Sequence, residues 1–70
     1  MSEFILNAEL VGVEKDGMQQ WRVEDPPSDH LDTLFIRPAQ SKRGVKVGDK
    51  GVLEFRSSAS FGLWYVRELL

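Results

Sequence analysis

Apolar and polar residues alternate with period two along most of the chain, and no stretch of about 12 residues keeps apolar positions at i, i+3, i+4 and i+7. The pattern predicts strands rather than helices. Phe4, Leu6, Ala8 and Leu10 alternate with Ile5, Asn7 and Glu9, after which the phase flips so that Val11 and Val13 flank Gly12. A flip beside glycine predicts a β-bulge in one long first strand. Lys15-Asp16-Gly17 then reads as a hairpin turn. It leads into a second strand, Met18 to Val23, with Gln19, Trp21 and Val23 on one side and Gln20 and Arg22 on the other.

The segment from Glu24 to His30 contains Pro26-Pro27, which removes two N–H donors, and reads as a loop. A third strand runs from Leu31 to Arg37, stopped by Pro38, and a fourth from Val52 to Arg56. The small residues Ser57 to Gly62 form a hairpin loop, and Leu63 to Leu70 a fifth strand. One-turn helices fit within Asp29 to Thr33 and within Gln40 to Gly44. Between them and the fourth strand, Val45 to Gly51 resembles a turn found in many small barrels, in which Gly48 permits the reversal and Asp49 bonds nearby backbone N–H groups. Five short strands with no substantial helix predict an all-β fold: a small, five-stranded, antiparallel barrel, either OB-like or SH3-like, with residues 1–70 as one domain.

Seventy residues close one modest core and leave little for a deep, water-excluding active site. There is no cysteine, which removes disulfides, Cys-ligated zinc and thiol chemistry together and fits a reducing cytoplasm. Met1-Ser2-Glu3 is unlike a signal peptide, and the longest apolar run, Leu63 to Val66, is far short of the ~20 residues that span a bilayer. The expectation is a soluble cytoplasmic protein without a membrane partner, of bacterial or phage type by its size and simplicity.

Charge is segregated. Residues 1–36 carry eight carboxylates against two cations, and residues 37–70 carry seven cations against three carboxylates. If folding gathers the second half on one surface, cations track phosphates while rings stack on bases. The candidate nucleic-acid-binding residues are Arg37, Lys42, Arg43, Lys46, Lys50 and Arg56, with Phe61 and Trp64 or Tyr65 for stacking. Two considerations oppose this: acidic and basic strands can pair across a sheet, and the pI near 5.2 is below that of dedicated nucleic-acid domains. Strand five is apolar on both faces at its start, so either Trp64 or Tyr65 faces outward unless a loop such as Pro26-Pro27 covers it.

Catalysis finds little support. His30 lies among Asp25, Asp29 and Asp32, but no second His or Cys completes a usual metal-ligand set, so no metal or other cofactor is expected. Ser57, Ser58 and Ser60 lack a motif that sets one beside His30, and Gly44, Gly48 and Gly51 lack the Gly-Lys-Ser/Thr ending of a phosphate loop. The expected function is non-catalytic binding, first of single-stranded nucleic acid. The alternatives are an SH3-like adaptor for a protein partner, its aromatics and the Glu24 to Asp32 loop lining a peptide groove, and a homodimer that buries Leu69, Leu70 and an exposed ring.

Overall fold

The structure, a computed structural model, describes residues 4–57 and 59–70. Residues 1–3, which hold the acidic start of the chain, and Ser58 of the last hairpin loop lie outside the described residues. Five strands form one antiparallel sheet: β1 (Phe4–Val13), β2 (Gln19–Val23), β3 (Thr33–Ile36), β4 (Lys50–Ser57) and β5 (Gly62–Leu69). Their order is β3-β2-β1-β4-β5. The sheet curls into a half-barrel, with β3 and the turn after it lying against β5. No α-helix occurs among the described residues, only two 3-10 turns, Asp29–Leu31 and Pro38–Gln40.

The curl begins in β1. Its first part pairs with β4, from Phe4 opposite Phe55 to Glu9 opposite Lys50, and its second part pairs with β2, from Ala8 opposite Val23 to Val13 opposite Gln19. Between Leu10 and Gly12 the register shifts by one, so Val11 is the bulged residue that the phase flip anticipates. A bulge bends its strand and adds right-handed twist, which lets one strand serve both walls of the half-barrel. The β1–β2 turn forms where Asp-Gly predicts it: Glu14 donates to Met18, Gly17 donates to Glu14, and Met18 donates to Asp16 Oδ1 at 3.0 Å.

Inward-facing residues from every strand meet at Trp21. Ala8, Leu10, Trp21, Val23, Ile36, Leu53 and Val66 are buried, with Leu6, Leu34, Val45 and Trp64 half-buried against them. The indole reaches over Gly51, where a Cβ would sit 3.4 Å from the Trp21 ring and 2.9 Å from the Glu68 carbonyl oxygen. Glycine at that position therefore admits the close approach of the β5 backbone at Glu68. Buried Trp needs an acceptor for its N–H, and Trp21 Nε1 donates to Gln19 Oε1 at 3.1 Å.

Three local expectations shift. Strand three is shorter than Leu31 to Arg37 because Leu31 closes the first 3-10 turn and only Thr33–Ile36 pair with β2. The second short turn forms at Pro38–Gln40 rather than within Gln40 to Gly44. Proline pre-sets φ for the first helical position, and Gln40 Oε1 accepts from the Arg37 N–H at 3.4 Å. In β5 the register shifts opposite Val52 and Leu53, making Arg67 a bulged residue; Leu69 then lies opposite Gly51, where its side chain comes close to that glycine, whereas unbroken alternation would set Leu69 on the face of Tyr65.

Candidate nucleic-acid interface

The nine residues singled out from the sequence do not gather on one surface. Arg37, Lys42, Arg43 and Lys46 all lie in the β3–β4 connection, residues 37–49, and none of the four forms an ion pair among the described residues. No carboxylate occurs from residue 33 to 48, so this cationic run stays together however the rest folds. The connection ends in a turn held by Asp49, whose Oδ2 accepts from the Lys46 N–H at 2.8 Å while Gly48 takes φ +101°. Two further backbone bonds, Gly48 N–H to the Leu10 carbonyl and Leu10 N–H to the Asp49 carbonyl, tie the turn to β1.

Lys50 and Arg56 fare differently. Lys50 Nζ is 3.9 Å from Glu24, and Arg56 Nε is 3.1 Å from Glu54. Acidic first-half and basic second-half residues do meet here across the sheet, as at Lys50 with Glu24 and in the pairing of Glu9 with Lys50. Arg56 also stacks over Tyr65, 4.5 Å from the ring centroid. With Ser57, Phe61 and Leu63 they surround a small groove of about 140 Å³ on the outside of β4 and β5. Trp64 turns inward instead, half-buried, its ring centroid 5.3 Å from that of Phe55. The ring displayed by strand five is therefore Tyr65, and the guanidinium of Arg56 already occupies one of its faces.

An aromatic residue outside the predicted set is better placed beside the cationic run. Gly12, Gln20 and Phe35 lie opposite one another across β1, β2 and β3. Their row faces outward, because the flanking Gln19, Trp21 and Ile36 are buried. Phe35 is 56% exposed, with Gln20 beside it, and Gly12 adds no side chain to the row, where the Gln20 amide oxygen lies 3.7 Å from the point a Cβ on Gly12 would take. The neighbouring row holds Glu9, Arg22 and Thr33, with Arg22 at 4.0 Å from Glu9. Arg37 follows Phe35 by two residues in extended backbone, φ −74° and ψ 152°, which carries the outward alternation from the ring into the cations.

The connection also walls a larger cleft of about 440 Å³, lined by Gln19, Pro38, Ser41, Lys42, Arg43, Gly44 and Val45. No carboxylate among the described residues lines it. The β1–β2 turn approaches from the side, Gly17 packing toward Pro38, and brings Glu14, Lys15 and Asp16 into the vicinity. His30 is exposed in the first 3-10 turn, and the described residues contain no group of three or more His, Cys, Asp or Glu able to hold a metal ion. No helix among the described residues is long and apolar enough to cross a membrane. Comparison with protein-family models, with curated proteins and with solved structures finds no match to this chain.

Proposed function

We propose that this chain is a non-catalytic module that binds single-stranded nucleic acid across the outer face of β2 and β3 and along the β3–β4 connection. The observation that carries the reading is the exposed ring of Phe35, followed within eleven residues by four cations that form no ion pair among the described residues. Bases stack on the ring at about 1–3 kcal/mol each, and phosphates follow Arg37, Lys42, Arg43 and Lys46. The strand order, with β1 shared between β2 and β4, supports an OB-like over an SH3-like barrel, and the face of strands two and three is where OB-like barrels take oligonucleotides. A net charge of −2 opposes general adhesion to polyanions and favours a local contact confined to this face.

Neither indole lies on that face, since Trp21 is buried and Trp64 packs inward, so intrinsic fluorescence is a poor reporter of binding. Anisotropy of end-labelled oligo-dT and of a labelled duplex at about 50 and 200 mM salt is the direct test. Tighter binding of the single strand, falling steeply with salt, is expected. Equal or absent binding of both at low salt overturns the proposal. A second reading rests on the other groove: Phe61 and Leu63 are exposed beside Tyr65, with Ile5 exposed in the row of Glu54 and Tyr65, an apolar strip suited to a protein partner or a second copy of the chain.

A further inference from the structure

Ser41 Oγ is the one buried side-chain polar atom without a hydrogen-bond partner among the described residues. A shielded hydroxyl costs free energy unless a partner bonds it, so this position favours a group that hydrogen-bonds there. Ser41 is a wall of the 440 Å³ cleft, and Gln19 is another. Gln19 is the only buried polar residue among those described, 7% exposed. The Trp21 indole N–H can only donate, so the amide oxygen of Gln19 must face it, as the 3.1 Å bond requires. That fixes the orientation of the amide and leaves its NH2 end, with two donors, without an acceptor among the described residues, on a side chain that lines the cleft. Lys42 and Arg43 stand on the same wall and contribute only donors and positive charge.

Every polar side chain lining the cleft can therefore donate; the side-chain acceptors there are the Ser41 hydroxyl and the Gln19 amide oxygen, which the Trp21 indole already engages. We infer that the cleft is a phosphate site, in which Gln19 and Ser41 give buried neutral donors and Lys42 and Arg43 the charge. A phosphate oxygen accepts several hydrogen bonds at once, and a bidentate guanidinium matches its geometry. At about 440 Å³ the cleft exceeds one phosphate group and is within the size range of small-molecule sites, so there is room for an attached sugar or base. The inference rests on the nucleic-acid reading only for the source of the phosphate, which is either a strand backbone or a free phosphorylated molecule.

Amide and indole ¹H–¹⁵N spectra of the full chain test it, recorded while chloride is exchanged for inorganic phosphate at constant ionic strength, then with dTMP and with oligo-dT. Saturable shifts are expected at the Trp21 indole N–H, the Gln19 NH2 and the Ser41 amide, with the Trp64 indole unmoved. Ser41→Ala removes an unpartnered hydroxyl, so it leaves the unfolding midpoint unchanged or raises it, yet weakens phosphate binding by about 2- to 10-fold, the range one hydrogen bond supplies. Gln19→Glu keeps the acceptor for Trp21 and replaces the NH2 by a carboxylate, and is expected to abolish the shifts. Absence of saturable shifts with all three ligands, or phosphate affinity unchanged in Ser41→Ala and Gln19→Glu, overturns the inference. Oligo-dT moving Phe35 and Arg37 while Trp21, Gln19 and Ser41 stay still with all three ligands overturns it and leaves the nucleic-acid reading standing; cleft shifts with phosphate and dTMP but not with oligo-dT support it with a free phosphorylated molecule as the source. Phosphate and dTMP binding in the cleft without any response to oligo-dT, at Phe35 and Arg37 included, leaves the inference standing and overturns the nucleic-acid reading.

Discussion

Replacing Phe35 by threonine separates the ring from everything else on its face. Truncating a fully buried phenylalanine costs about 3–5 kcal/mol, but Phe35 is 56% exposed and threonine is a good strand former, so the structural cost falls to about 1 kcal/mol. That is tolerable for a domain of this size, whose single core supplies roughly 3–5 kcal/mol. If one base stacks on the ring, its loss removes about 1–3 kcal/mol of binding, a weakening of about 5- to 150-fold. The cations are untouched, so the slope of log affinity against log salt should match that of the original chain. Anisotropy with labelled oligo-dT gives affinity and slope together, and urea unfolding reports the stability. Phe35→Tyr keeps a ring and should restore most of the affinity. A folded Phe35→Thr chain that binds within twofold of the original, or a tyrosine variant as weak as the threonine one, refutes stacking at this position.

Three further outcomes follow from the geometry. Lys42→Ala with Arg43→Ala should leave stability within about 0.5 kcal/mol, because both side chains are exposed, and should flatten the salt dependence by about 1.4 in slope, read from titrations at several salt concentrations. Gly62→Ala places a methyl group against the ring of Phe55, which packs at a tilt on Trp64, so the pair must shift; a loss of about 1–3 kcal/mol is expected in urea unfolding. Gln19→Leu strands the buried Trp21 N–H and should cost about 1–3 kcal/mol, with the Trp21 indole proton exchanging faster in NMR spectra.

Local backbone signals were readable in the chain because each has a local cause. The phase flip at Gly12 locates the β1 bulge, Asp16-Gly17 locates the first turn, and the alternation of Gln19, Trp21 and Val23 gives the inward face of β2. Phe35 was not readable. Leu34, Phe35 and Ile36 form a continuous apolar run with no phase of its own, and only pairing Gln20 with Phe35 across a long loop decides that the ring points outward. The bulge at Arg67 has no glycine to announce it, and it moves Leu69 off the face that simple alternation assigns. Charge behaved likewise: cations contiguous in sequence stayed together in the 37–46 run, whereas Lys50 and Arg56 were placed beside Glu24 and Glu54 by cross-strand and same-strand geometry that composition does not carry.

Backbone and side-chain chemical shifts mapped during titration with oligo-dT at low salt test the central claim most directly. The expected footprint is Gln20, Phe35, Arg37 and residues 41–46, all fading together as salt is raised. A footprint on Phe61, Leu63 and Tyr65 instead, or no footprint at all, would contradict it.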